Sequence, residues 1–465
     1  MSNRIRQSST AAKLPSGGAV DSRVRFVQRA DCGTRSVGGG EGSSRVRANA
    51  ANERLSSLSS RERGRKWEAD AFEKLLRPLG PERFLAEIWN RKPYVISGRH
   101  ADHYADLVTT ADMDAIIGMS DLDPSAPERF IELVRYGASG QEAKPIPRTR
   151  HGLPDLQHVY QAYAEGYSIN ANFLQRRWQP VSSLCLDLQR VLHHPVVAYL
   201  FLTPPFTQAF EPHFDVWSTF ILQIEGAKNW KLYHREVTSP LEHMRSSVGE
   251  SQLGEPSFEV CLRAGDLLYV PAGYVHQALA LDVPSLHLSV SIRTLHWAHI
   301  LANAITLAAE RDVSLRDELP VGFLNSDEAR RELERRLHEF GGGVFKGIRL
   351  EDAFLPLGQR YEYAQTMPLD GHLVTINRIG DLDLDSVVTR RPGMMCMTRC
   401  TEAEAVLWFQ GNLLRAPVGI ERALRFVAQK ERFVVREVPD CLTDDGKLVL
   451  VRRLVAEGLL AMAPD

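Results

Sequence analysis

The spacing of hydrophobic positions changes character three times along the chain. From Glu68 to Trp89, Phe72, Leu75, Leu76, Phe84, Leu85 and Trp89 recur on helical faces, and Pro78-Leu79-Gly80-Pro81 breaks the run into two pieces. Pro93–Ile96 reads as a short strand, and a mixed region follows to about Gln157. Helices are predicted over 158–166 and 181–194, on either side of a strand at Tyr167–Ala171. Between about 196 and 295 the apolar runs become short: Val196–Leu202, Thr219–Ile224, Asn229–Tyr233, Phe258–Leu262, Leu267–Val270, Gln277–Leu281 and Leu286–Ile292. Gly226, Gly265-Asp266 and Pro271-Ala272-Gly273 punctuate them. Short strands with regular turn signals predict a sandwich or barrel.

After Thr294 the helical period returns in Trp297–Glu310 and in the highly charged Asp327–Phe340, which Gly341-Gly342-Gly343 ends. The last hundred residues read as an α+β unit. It has a strand within Glu402–Gln410, helices at Ile420–Gln429 and Thr443–Glu457, and a final strand after Gly458-Leu459-Leu460. Helix, helix and short strand pair resemble a winged helix. Asp381-Leu382-Asp383-Leu384-Asp385 alternates as an edge strand would, which speaks against a calcium loop.

Composition narrows the class. With 44% hydrophobic and 25% charged residues, the chain is neither collagen-like, coiled-coil nor wholly disordered. No apolar stretch approaches the ~20 residues of a membrane helix, and the N-terminus lacks the apolar core of a secretory signal. Six scattered cysteines make no disulfide scaffold, and the one close pair, Cys396 and Cys400, has no second pair to complete a zinc site. These features point to a reducing compartment, the cytoplasm, or the nucleus or nucleolus in a eukaryote.

The net charge of −2 conceals a split. Residues 1–66 hold fourteen Lys or Arg against five Asp or Glu, about +9, which leaves about −11 for the remaining 399. This Ser-, Gly-, Ala- and Arg-rich tail has too little apolar surface to offset its ordering entropy and is expected to be disordered. Its Arg61–Lys66 run reads as a solvated basic tail, with nucleic-acid contact as the alternative.

The chemistry concentrates in Glu211-Pro212-His213-Phe214-Asp215. On a strand, positions i and i+2 share a face, so His213 and Asp215 offer an imidazole and a carboxylate side by side. His276 follows sixty-one residues later, in Gly265-Asp266-Leu267-Leu268-Tyr269-Val270-Pro271-Ala272-Gly273-Tyr274-Val275-His276. That is a strand, a tight turn, and a histidine opening the next strand. Two histidines and one carboxylate on one face form the facial triad of non-haem Fe(II) oxygenases, which leaves positions for a cosubstrate and O₂. Lys228, thirteen residues after Asp215 and just past Gly226, has two readings. It is either a buried cation for the distal carboxylate of 2-oxoglutarate or a hairpin-tip surface lysine. His234, His243, His287, His296 and His299 lack a carboxylate at ligand spacing and read as core or surface histidines.

These residues resemble the JmjC-type, cupin-like 2-oxoglutarate oxygenases, in particular the ribosomal oxygenase branch. The resemblance runs through Leu202-Thr203-Pro204-Pro205, His213-Phe214-Asp215, Leu222–Trp230, Pro271–Gln277 and Ser285–Leu288, with Phe84, Trp89 and Pro93 upstream. It covers about residues 80–300 well, extends more loosely to the C-terminus, and leaves out 1–66. It implies an α+β chain built on a double-stranded β-helix, a jelly-roll or cupin JmjC barrel. A helical dimerisation region and a C-terminal winged-helix-like domain follow. The expected division is 1–66 basic tail, 67–296 catalytic domain, 297–350 dimerisation region and 351–465 winged-helix-like domain. The resemblance further implies Fe(II) held by His213, Asp215 and His276, Lys228 on 2-oxoglutarate, and O₂ as second cosubstrate. Asn170 and Ser291 fall at substrate-facing positions, and the implied substrate is a His or Arg side chain of a ribosomal protein. A homodimer without membrane contact is implied, with nucleic acid met only through the basic tail.

Three positions depart from the family pattern. Tyr199 and Phe201 stand where members commonly have Asn and Tyr, and Val216-Trp217-Ser218 replaces an acidic residue after Asp215. The altered wall keeps open the same chemistry on a small peptide or natural-product precursor. A non-catalytic binding protein and, more weakly, a histone demethylase are the other rivals.

Overall fold

Two antiparallel sheets pack against each other in the middle of the chain, in a computed structural model that describes Arg63, Trp67 and residues 70–120, 129–319, 326–364 and 371–463. In chain order the strands are β1 (Tyr94–Ile96), β2 (Ile131–Gly137), β3 (Gly140–Lys144), β4 (Ser168–Ala171), β5 (Val196–Thr203), β6 (His213–Phe214), β7 (Ser218–Glu225), β8 (Ala227–Arg235), β9 (Ser246–Ser247), β10 (Phe258–Arg263), β11 (Leu267–Val270), β12 (Tyr274–Ala280) and β13 (Ser285–Ile292). One sheet runs β1-β11-β7-β13-β5-β4-β2-β3, the other β10-β8-β12-β6-β9. This is the expected double-stranded β-helix. The expected runs between 196 and 292 fall on strands, with Leu281 alone lying one residue past β12, whereas the hairpin β2–β3 and the short β9 gave no signal beyond mixed sequence.

Period-two alternation divides the work of the larger sheet. On β5, Val196, Ala198, Leu200 and Leu202 face outward, and on β13 Leu286, Leu288, Val290 and Ile292 do the same. They bury against Phe72, Leu75, Leu76, Leu184 and Leu188 of the helices Ala71–Leu76 and Gln179–Leu192. A fully buried side chain of this size contributes roughly 1.5–3 kcal/mol, so this row fixes the register of the strands. The alternate residues, Tyr199 and Phe201 on β5 and His287, Ser289 and Ser291 on β13, line the barrel interior instead. A second apolar cluster, including Ile221, Trp230, Leu232, Leu262 and Leu268, joins the two sheets.

The expected pair of N-terminal helices forms as Ala71–Leu76 and Pro81–Glu87, parted at the Pro78–Gly80 break. Of residues 1–66 only Arg63 is described, so the expectations of disorder and of nucleic-acid contact lie outside the described residues. Arg63 itself is not solvated. It donates to both carboxylate oxygens of Asp112 at 2.9 Å, and its guanidinium stands 5.5 Å from the Trp178 ring centroid.

Beyond the barrel, helices span Trp297–Arg311 and Asp327–Gly341. The C-terminal part holds two three-stranded sheets. β14 (Val387–Arg390) lies between β18 (Arg432–Val434) and β19 (Leu460–Met462), and β16 (Ala405–Phe409) lies between β15 (Cys396–Cys400) and β17 (Asn412–Ala416). Helices Glu421–Gln429 and Asp444–Ala456 bury Leu424, Val427, Val451 and Leu454 against them. The Asp381–Asp385 run is not an edge strand. Asp381 ends a 3-10 turn, and Asp383 accepts from the Asp385 amide at 3.0 Å and from Ser386 Oγ at 2.7 Å. The aspartate's local turn chemistry overrides the alternating pattern. No helix among the described residues is long and apolar enough to cross a membrane.

Candidate metal centre

The register of the smaller sheet builds the site. His213 on β6 and His276 on β12 are direct cross-strand partners, so their side chains leave the same face. Their ring centroids are 4.6 Å apart. β6 ends at Phe214, and Asp215 follows with one carboxylate oxygen 3.9 Å from His213 Nε2 and the other 3.9 Å from His276 Nε2. The three donor atoms lie within 4.8 Å of one another, grouped around one centre. Among the described residues, no other group of three such side chains approaches this geometry.

Both imidazoles are aimed by the backbone two residues before them. His213 Nδ1 lies 2.7 Å from the Glu211 carbonyl and His276 Nδ1 lies 3.0 Å from that of Tyr274. A carbonyl only accepts, so each Nδ1 carries its proton and each Nε2 presents a lone pair to the centre. Burial, reinforced by the neighbouring His213, pulls His276 down to about 4, which keeps it neutral and ligand-ready near pH 7.

The turn before His276 has little freedom. Gly273 sits at φ +83°, and a Cβ there would stand 1.7 Å from the Val237 carbonyl oxygen. Its amide donates to the Asp215 carbonyl at 2.8 Å, which ties the turn directly to the carboxylate ligand. Only glycine fits this place.

Lys228 is buried and does not sit at a hairpin tip. It is 2% exposed, and Nζ donates to Thr203 Oγ1 on β5 at 3.0 Å. Burial pulls its ammonium down to about 7. It lines the same cavity as the triad, a space of about 760 Å³ bounded by both sheets. Asn170 and Ser291 line it too. Asn170 Nδ2 donates to Asn172 Oδ1 at 2.9 Å, and Ser291 Oγ lies 2.9 Å from Thr219 Oγ1.

The three departing positions form much of the wall. Phe201 stacks on His287, with centroids 4.8 Å apart and planes 9° from parallel. Tyr199 packs on Phe173 at 5.4 Å, and the Trp217 ring lies 4.4 Å from the guanidinium of Arg293 and 5.3 Å from that of Arg245. His287 was expected to be an ordinary core histidine. It is instead part of the cavity, fully buried, with Nδ1 lacking a hydrogen-bond partner and Trp230 edge-on at 5.5 Å. Burial, with Lys228 nearby, holds it well below the usual imidazole range. Its place on the inward parity of β13, between Leu286 and Leu288, was the available signal. His234 keeps the ordinary reading, exposed and 2.7 Å from Glu236.

Residues 173–300 match the family model of the JmjC domain. Ribosomal oxygenase 1 of Gallus gallus is 34% identical over 294 residues, which cover 60% of this chain and 48% of that protein. The bifunctional lysine-specific demethylase and histidyl-hydroxylase NO66 of Aedes aegypti is 31% identical over 319 residues, covering 64% and 49%. The chain thus spans about half the length of the curated relatives it matches. The solved structure of E. coli ycfD superposes with a TM-score of 0.52 at 16% identity, over 82% of this chain and 98% of that one, and shares its fold.

Proposed function

We propose that this chain, which carries a JmjC domain at residues 173–300, is an Fe(II)- and 2-oxoglutarate-dependent protein hydroxylase acting on a His or Arg side chain of a ribosomal protein. The observation that carries the reading is one cavity holding both the His213–Asp215–His276 triad and the buried Lys228 ammonium. The ribosomal substrate rests on the names of the relatives.

The donor set fits Fe(II): two imidazoles with fixed Nε2 atoms and a carboxylate on one face. When bound there, Fe(II) with 2-oxoglutarate and O₂ supplies the oxidation that yields succinate and CO₂ and places one oxygen atom in a substrate C–H bond. The chain's own residues do the positioning. Lys228 Nζ, steadied by Thr203 Oγ1, receives the distal carboxylate of the cosubstrate, and the anion in turn favours the protonated lysine. Phe201, His287 and Trp230 shield this end from water. Asn170 and Ser291 face the substrate from the larger sheet.

The rest of the chain supports this unit. We assign 67–296 to the catalytic domain, 297–350 to a dimerisation region and 351–465 to a winged-helix-like domain. Trp297, Leu301 and Ile305 leave an exposed apolar stripe on one helix, which suits a homodimer. A reducing compartment suits the ferrous site.

Mass spectrometry of ribosomal proteins from cells with and without this protein tests the reading. One His or Arg should lose an added oxygen atom when the protein is absent. Unchanged ribosomal proteins would overturn the ribosomal substrate and favour a small peptide shaped to the Tyr199–Phe201–Trp217 wall.

A further inference from the structure

A second cavity, of about 480 Å³, lies where the start of β5 and the end of β13 meet the helices Trp297–Arg311 and Gly358–Ala364. Arg293 reaches it from just past β13, and Glu242 from a 3-10 turn after β8. His299 and Asn303 line it from the first helix, Gln359 and Arg360 from the second. None of these residues lines the catalytic cavity.

The charges of this lining do not balance. Two guanidinium groups meet one carboxylate, and both meet it on the same oxygen. Glu242 Oε1 accepts from Arg360 Nη1 at 2.9 Å and lies 3.5 Å from Arg293 Nη2. Arg360 has no other hydrogen-bond partner among the described residues, so most of its five N–H donors are unspent. The Arg293 side chain is 16% exposed, which holds much of its charge away from water. The neighbouring histidines register the excess. Burial, and after it the Arg360 guanidinium, holds His296 and His299 below the usual imidazole range, against the opposing pull of Glu242. His299 Nδ1 accepts from the His296 amide at 2.9 Å, so its neutral ring carries the proton on Nε2, as a further donor.

We propose that this cavity binds a phosphate group between Arg293 and Arg360, with Glu242 as the internal occupant that the phosphate displaces. A tetrahedral anion presents oxygens in several directions, which suits donors arriving from a strand end and two helices. A carboxylate lies in one plane and is met by a single guanidinium fork. The Glu242 side chain is 43% exposed, so it has solvent to turn into when the anion enters. The cavity is larger than a phosphate ion and has room for the organic part of a phosphate ester. Arg293 also stands 4.4 Å from the Trp217 ring, so the site adjoins the outer side of the catalytic wall. It stands or falls independently of the hydroxylase reading.

The test is calorimetric titration of the full chain, without iron, in a phosphate-free buffer. Inorganic phosphate and phenyl phosphate are the probes, and at least one should bind with a dissociation constant of about 1 mM or tighter. Tighter phenyl phosphate identifies an ester as the ligand, and tighter inorganic phosphate the free ion. Arg360→Gln should weaken binding roughly 10- to 100-fold, the scale of a hydrogen bond between charged groups. Glu242→Gln should tighten it about two- to fivefold, because the anion no longer competes with a carboxylate. That sign separates a ligand site from a purely structural ion pair, in which Glu242→Gln would loosen both arginines and weaken binding. Lys228→Met removes the buried cation of the catalytic cavity, and binding should persist in it. Binding that vanishes in Lys228→Met, is unchanged in Arg360→Gln or weakens in Glu242→Gln would overturn the site, as would no saturable binding of either probe. If Arg360→Gln does not fold, Glu242→Gln and Lys228→Met carry the test.

Discussion

The two sheets enclose one cavity and are specified at very different ranges. On the five-stranded sheet, a single register pair, His213 with His276, sets both imidazoles, and each ring is aimed by a carbonyl two residues away. On the eight-stranded sheet, the wall is a row taken from β2, β4, β5 and β13, from Glu132 to His287, and no local motif ties its members together. The metal face is thus fixed by short-range geometry, whereas the wall depends on the alternation and register of four strands. One face can be read as chemistry and the other as selectivity, and Lys228 bridges them, on β8 with its partner Thr203 on β5.

The sharpest way to break this division is to exchange a residue on each side. Asp215→Ala should remove the stabilisation that Mn(II) gives in thermal unfolding, weakening metal affinity beyond the roughly 10–100-fold that outer partners carry. Phe201→Ala should leave the metal-induced shift in place. Equal losses in the two variants would merge the two faces into one unit.

Lys228→Met probes the bridge. Cosubstrate affinity should fall on the order of 100-fold or more, because the distal carboxylate would be buried without its cation. The chain without cosubstrate should become more stable. Sign and window follow from the lysine's folded value of about 7 against an unfolded value near 10.5. Burial penalises the protonated form, so the wild-type cost is complete below about pH 7 and shrinks as pH rises toward the unfolded value. The stabilisation from Lys228→Met should therefore be largest below pH 7 and fade above it, as denaturant melts at several pH values would measure.

Gly273→Ala should cost about 1–3 kcal/mol in the same melts, from the left-handed backbone and the Val237 carbonyl in the way of a Cβ. It should also weaken metal binding by displacing His276. The smallest effect is in the wild-type protein, where 2-oxoglutarate affinity should decline above pH 7 by at most about tenfold per unit, as the unliganded Lys228 loses its proton.

How much of this was legible depended on range. The strands from 196 to 292 were readable because apolar runs are bounded by Gly and Pro turns, and His213-Phe214-Asp215 was readable because two ligands sit two residues apart. Lys228 stayed ambiguous although a signal existed: it shares inward parity with Trp230 and Leu232, both buried, while Lys231 takes the other face. His287 and Ser291 carry the same parity signal against Leu286, Leu288 and Val290. The pairing of Glu132 with Asn170 was not legible, since nothing in either segment encodes which strands will be neighbours. Asp381–Asp385 failed for the opposite reason, because its alternation is real but Asp383 spends its carboxylate on a turn.

The central claim is that the triad and Lys228 form one working oxygenase centre. Its most direct measurement is succinate formed from 2-oxoglutarate by the full chain under O₂ with Fe(II), in wild type and in His276→Ala. Iron-dependent succinate in the wild type that disappears in His276→Ala is the predicted result. Succinate absent from the wild type, or equal in both, would contradict it.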